Sequence, residues 1–202
     1  MSAAKRLNYF PPLLSVFFPR KYTEEEYFEI EAQSEDKLEY VNGYIVPTDM
    51  GGTFIHATIG SNILIALRNA TKGKPCKVLG SDLRIKTKTS FRFLDALVVC
   101  NDPKFYNKKQ TTLLNPSVLI EVVSPESNKR DYVDKRAEYF NIESLQHYII
   151  IEQERPFVTI FSNNVNGLHT FENYDFSNPI IVLSDLDITI TLEDIYEDVD
   201  FE

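Results

Sequence analysis

The stretch VLIEVVSP, residues 118–125, decides how this chain is read. It is a near-continuous β-branched and aliphatic run of the kind that buried central strands show. A Ser-Pro break closes it, and it carries one charge, Glu121. Side chains alternate between the two faces of a strand, so Leu119, Glu121 and Val123 share one face, and Val118, Ile120 and Val122 the other. An ionised carboxylate among apolar neighbours is costly unless it is paired or coordinates a metal.

The strand-like stretch before it, FRFLDALVVC at 91–100, does the same. Phe91, Phe93, Asp95, Leu97 and Val99 form one face, which Asp95 interrupts. If the two strands are neighbours, Asp95 and Glu121 converge. Two carboxylates with a backbone carbonyl and waters are a usual way of holding Mg²⁺. Such a cation favours the ionised acids and suits phosphate chemistry. The same residues also fit a plainer arrangement. Each acid could pair with a base such as Arg84 or Arg92, or lie at a strand end in water.

Working outward, YTEEEYFEI opens the folded part, with Thr23 and Glu26 spaced as a capping box and an acidic first turn. That helix is expected to run to about Gln33. KLEYVNGYIVP reads as a hairpin around Asn42-Gly43. Apolar residues at 55, 59, 63, 66 and 67 have helical spacing. CKVLGSDLRIKT and FRFLDALVVC are expected to be antiparallel neighbours across KTKTS, and NKRDYVDKRAEYF to be helical. HYIIIEQ, FVTIFSN, LHTFENY and IIVLSD follow as short strands, and LEDIYED as a short acidic helix. Helices falling between more numerous strands make the fold class α/β or α+β, with a mixed central β-sheet flanked by helices.

The chain has 202 residues, 43% of them hydrophobic, enough for one domain with its own core. Residues 1–20 are read as an N-terminal extension, whose short apolar piece is broken by Pro11, Pro12 and Pro19, and residues 21–202 as a single domain. No apolar run reaches the roughly 20 residues of a membrane span. Cys76 and Cys100 have no metal-ligand spacing, and the expectation is two free thiols in a reduced, cytoplasmic setting, with one disulfide as the alternative. The formal net charge of −9 argues against a surface that clings to nucleic acid throughout. It leaves room for a local basic patch or bound cations.

Six motifs occur in order: KLEYVNGYIV (37–46), a helix opening with His56, GSDLRI (80–85), FLDALVV (93–99), NPSVLIEVVSPES (115–127) and RDYVDKRAEY (130–139). Together they resemble the Uma-type endonucleases, a bacterial branch of the PD-(D/E)XK, restriction-endonuclease-like superfamily. The resemblance covers roughly residues 22–153. It implies a restriction-endonuclease-like core with Asp95 and Glu121 as ligands of Mg²⁺ or Mn²⁺, and with Glu39 and Asp82 at the site. Leu94 stands where the superfamily motif has Pro, and Val123 where the E-x-K element has its Lys. Lys135, which the Uma-type pattern shares, is the candidate substitute. On spacing alone it forms an ordinary i,i+4 surface pair with Asp131.

His56, at a helix start, is read either as a contact to phosphate or water or as a capping residue. Lys104, Lys108 and Lys109, with Phe105 and Tyr106, offer a basic and aromatic patch to a nucleic-acid backbone, or form a solvated loop. The resulting expectation is a metal-dependent endonuclease acting on DNA rather than RNA, with a homodimer as one arrangement and no membrane partner. The alternative is a nuclease-fold module that has lost catalysis and retains a binding role.

Overall fold

The computed structural model describes residues 20–48, 52–124, 130–163 and 169–201. The expectations for nearly all of the N-terminal extension, and for Pro125 as a strand terminator, therefore lie outside the described residues.

Helix α1 (Glu24–Glu31) starts at Thr23, whose hydroxyl accepts from Glu26 N while the Glu26 side chain accepts from Thr23 N. The hairpin β1 (Leu38–Val41) and β2 (Tyr44–Pro47) turns at Asn42 and Gly43, both with positive φ as a type I′ turn requires. Helix α2 (Phe54–Ala70) buries Ile59, Ile63, Ala66 and Leu67, the face expected from the spacing.

The two long stretches between 76 and 100 are antiparallel neighbours across KTKTS, as expected, but they are not two unbroken strands. Each breaks in the middle, into β3 (Cys76–Gly80) and β4 (Arg84–Lys86), then β5 (Ser90–Phe93) and β6 (Ala96–Cys100). β4 pairs with β5, and β3 pairs with β6, in two different sheets. Asp95 therefore does not lie inside a strand. It sits at the seam where the chain passes from one sheet to the other. A break lets the sheets diverge, and divergence opens a cleft.

β7 (Thr112–Leu113) pairs in parallel with β4, and β8 (Val118–Val123) is buried along its whole length. β8 is followed by a π-helical turn (Arg130–Lys135) that runs into α3 (Arg136–Tyr139). The remaining elements are β9 (His147–Glu152), β10 (Val158–Asn163), β11 (His169–Tyr174), β12 (Ile180–Leu183), β13 (Ile188–Thr191) and α4 (Leu192–Ile195). Among the described residues the expected single central sheet is two. Their orders are β2-β1-β5-β4-β7 and β11-β10-β9-β8-β6-β3, and β12-β13 forms a separate ribbon. The larger sheet is mixed, since β8 runs parallel to β9 and antiparallel to β6.

β8 divides the core by alternation. Val118, Ile120 and Val122 join the layer under α2, while Leu119 and Val123 join a layer with Tyr139, Tyr148 and Phe161. Glu121 belongs by position to the second layer. An aromatic cluster of Tyr27, Tyr40 and Phe91 packs α1 against the smaller sheet.

Cys76 and Cys100 form a disulfide, contrary to the expectation of two free thiols. The β3–β6 register sets them directly opposite one another with Cα atoms 4.0 Å apart, so their side chains meet. Among the described residues no helix is long and apolar enough to cross a membrane.

Candidate active site

The seam between the sheets opens into a cleft of about 1530 Å³ lined by residues of both. β6 and β8 are in register at Leu97 with Leu119 and at Ala96 with Ile120. Asp95 and Glu121 follow at the next step, where regular pairing stops, and both line the cleft. The backbone N–H of Val122 donates to Asp95 Oδ2 at 2.7 Å, so the Asp95 side chain takes over from the interrupted ladder. The other oxygen, Oδ1, lies 3.1 Å from His56 Nε2. His56 stands in the first turn of α2, where the Thr53 hydroxyl caps its backbone N–H. The hydrogen bond to Asp95 favours the imidazolium and raises the His56 pKa above its usual value, against the effect of burial.

Glu121 is 7% exposed, and its Oε1 accepts from Lys135 Nζ at 2.7 Å and from the Tyr139 hydroxyl at 3.0 Å. Lys135 is not a surface lysine. It is 6% exposed and also lies 2.8 Å from Asp131 Oδ1. An ammonium has thus arrived from the following helix beside the strand acid, while Val123 packs in the core. Burial pushes the Glu121 carboxyl up to about 8, with Asp95 and Asp131 adding to the shift and Lys135 opposing it. Burial also disfavours the Lys135 ammonium, but the Glu121 and Asp131 carboxylates outweigh it and hold Lys135 above its usual range.

Glu39 points inward. Its Oε2 accepts from Arg92 at 3.1 Å, and its Oε1 from the backbone N–H of Phe93 at 2.9 Å. Arg92 also makes a forked contact with Glu138, at 2.6 Å to Oε2. The plainer sequence reading paired the strand acids with an Arg or Lys, Arg84 and Arg92 being examples; Glu121 does take such a base, but it is Lys135. Arg92 is taken by Glu39 and Glu138, and Arg84 pairs with Glu31 at 2.9 Å.

Asp95, Glu121, Lys135, Glu39 and His56 are thus gathered around one cleft. Asp82 is not among them: its side chain is fully exposed in the β3–β4 connection, 3.4 Å from Lys37. The loop aromatics are also committed elsewhere, because Tyr106 stacks on Phe28 and donates to Glu24, and Phe105 packs on the second core layer. Glu138 and Gln153 line the cleft without having been expected there. Glu138 carried a usable signal, one helical turn beyond Lys135. Gln153, which accepts from the Thr53 hydroxyl at 3.2 Å, carried none.

The donor set fits a hard divalent cation through two carboxylates. Among the described residues no three His, Cys, Asp or Glu side chains are gathered as a ready cage. Asp95 and Glu121 supply two carboxylates, the number with which Mg²⁺ is commonly held while waters and phosphate oxygens complete its shell. Asp95, Glu121 and Asp131 also outnumber the one ammonium between them. A cation would relieve the burial cost that pushes Glu121 toward its neutral form.

The comparisons with known proteins agree with this architecture. Residues 24–193 match the profile of Uma2, described as "Putative restriction endonuclease". The uncharacterized protein sll1609 of Synechocystis sp. is 30% identical over 133 residues, which cover 65% of this chain and 75% of that protein. A second Synechocystis protein, the uncharacterized slr1290, is 27% identical over 187 residues, 91% of this chain and 95% of that protein. A crystal structure of a "putative nuclease belonging to DUF820" from Anabaena variabilis superposes with a TM-score of 0.65 at 16% identity, covering 81% of this chain and 91% of that one. That superposition speaks for the fold alone.

Proposed function

The chain belongs to the Uma2 family of restriction-endonuclease-like proteins, and from that premise we propose that it is a divalent-cation-dependent endonuclease hydrolysing phosphodiester bonds of DNA. The observation that carries this reading is the contact of Lys135 Nζ with Glu121 at 2.7 Å, beside Asp95 in an open cleft. Two acids and an ammonium are the minimum set for cation-assisted attack of water on phosphorus, and here the ammonium comes from a helix.

Asp95 and Glu121 would hold Mg²⁺ or Mn²⁺. Such an ion, when bound, supplies a positive charge at the phosphate and acidifies a water. The protein's own groups do the rest. Val122 N–H and His56 fix the two oxygens of Asp95, so the carboxylate is oriented before substrate arrives. Lys135 stays an ammonium between its two carboxylates, so it serves as a donor and a charge facing the phosphoryl oxygens and not as a base. Glu39, with both oxygens engaged by Arg92 and Phe93 N–H, braces the backbone just ahead of Asp95.

The test is cleavage of supercoiled plasmid with Mn²⁺ by the wild type and by Asp95→Ala and Glu121→Ala. Each variant should lose cleavage while keeping the far-ultraviolet circular dichroism of the wild type. Full activity in either variant refutes the assignment. A second reading, a non-catalytic binding module, draws on the same contact, since Lys135 is itself a charge partner for Glu121. It predicts retention of DNA without cleavage in any divalent metal.

A further inference from the structure

We propose that Asp131 and Tyr139 are positioning residues of this site: they hold Lys135 and aim the Glu121 carboxylate at the cleft, an inference that rests on the nuclease reading above. Asp131, Lys135 and Tyr139 follow one another at intervals of four residues along the π-helical turn and α3. They are 2%, 6% and 0% exposed, so none of them is a surface residue that happens to lie nearby.

Tyr139 donates to Oε1 of Glu121, the oxygen that also accepts from Lys135. A carboxylate gripped twice at one oxygen loses rotation about its last torsion, so the direction of the whole group is set from the core side. The side chain still lines the cleft. Tyr139 in turn meets Tyr148 edge to face, with centroids 5.1 Å apart, and that contact fixes the phenol.

Asp131 is a different case. Its Oδ1 is buried and lies 2.8 Å from Lys135 Nζ. The pair is charge-assisted, and it helps to hold Lys135 above its usual range. A buried acid without such a partner is unfavourable. The effect of Asp131 is to hold the ammonium on the Glu121 side of the cleft. In the usual arrangement this Lys shares a rigid strand with the acid. A Lys on a helix needs a second anchor, and Asp131 is that anchor.

The experiment titrates Mn²⁺ calorimetrically into the wild type and Tyr139→Phe, and measures cleavage kinetics for Asp131→Asn with and without Lys135→Met. Tyr139→Phe removes one oxygen and leaves the ring packing. It should weaken Mn²⁺ binding by about tenfold, the scale on which partners of metal ligands act, with a melting curve close to that of the wild type. Asp131→Asn should lower kcat by about tenfold at unchanged KM, and by less than about twofold once Lys135 is Met, because a residue acting through Lys135 has nothing left to act on.

Unchanged Mn²⁺ affinity in Tyr139→Phe overturns the proposal for Tyr139, whatever the cleavage assay shows. An equal loss of kcat from Asp131→Asn in both backgrounds overturns it for Asp131. If Asp131→Asn does not fold, the Tyr139→Phe titration decides alone. A wild type that binds Mn²⁺, loses affinity in Tyr139→Phe and cuts no DNA supports the positioning role and refutes the nuclease reading. A wild type that binds no Mn²⁺ overturns the proposal.

Discussion

Arg92 is a buried guanidinium with two carboxylates of its own. Glu39 holds it from the hairpin and Glu138 from the helix, so three separate segments meet at one side chain. Removing the guanidinium leaves two buried carboxylates without an opposite charge, a loss of about 3–5 kcal/mol. Arg92→Met should therefore lower the unfolding free energy by that amount in a urea titration; a loss below about 1 kcal/mol would show that the cluster contributes little. Asp82 makes the opposite case. Its side chain is fully exposed and pairs with Lys37, so Asp82→Ala should change stability by less than about 0.5 kcal/mol. Under the proposed mechanism it also leaves cleavage intact, and a tenfold fall in activity would return Asp82 to the site.

At the level of elements, β8 carries both the core and the candidate acid. Its two apolar faces feed separate core layers, and Ile120 is wholly buried in the layer under α2. Truncating such a residue costs about 2–5 kcal/mol, through lost burial and the cavity left behind. Ile120→Ala is expected to fall in that range by chemical denaturation, and a smaller cost would mean that α2 settles into the space. The β1–β2 turn is the other exacting element. Gly43 has a φ of +95°, and an added Cβ would come within 3.2 Å of the Lys21 side chain. Gly43→Ala should therefore destabilise by at least about 1 kcal/mol, and the hairpin that carries Glu39 would loosen with it.

The whole molecule carries a formal charge of −9, and among the described residues its cleft is lined by Glu39, Asp95, Glu121, Asp131, Asp134 and Glu138 against Lys37, Lys88, Arg92 and Lys135. Affinity for a polyanion at physiological salt comes mainly from basic groups, so a chain of this charge needs help from bound cations at the site. DNA retention in a filter-binding assay should be weak in EDTA and rise when Ca²⁺ is supplied. Equal retention in both conditions would point to a basic surface instead and would weaken the case for a cation between Asp95 and Glu121. The disulfide acts at this scale too. It joins Cys76 to Cys100 across a sequence separation of 24, a closure of the unfolded chain worth about 3.5 kcal/mol in the chain-entropy account. Reduction should shift the urea midpoint down accordingly, and thiol titration of the denatured, unreduced chain should find none.

What the sequence determined by itself was local in its physics. The capping box at Thr23, the turn at Asn42-Gly43, the apolar face of α2 and the buried run of β8 each depend on residues a few positions apart, and each is found where the pattern predicts it. Glu121 was legible for the same reason, as a charge where a strand wants an apolar side chain. The tertiary structure alone decided the rest. No local signal says that the chain between 76 and 100 changes sheets, because both halves of each stretch have the same strand character. That change takes Asp95 out of a strand and opens the cleft. Nor does spacing distinguish an ordinary Asp131–Lys135 pair at the surface from one buried against Glu121: both are i,i+4, and only the packing of the π-helical turn on β8 tells them apart. The pairing of Cys76 with Cys100 likewise follows from the β3–β6 register, a contact between residues far apart in sequence that composition does not contain.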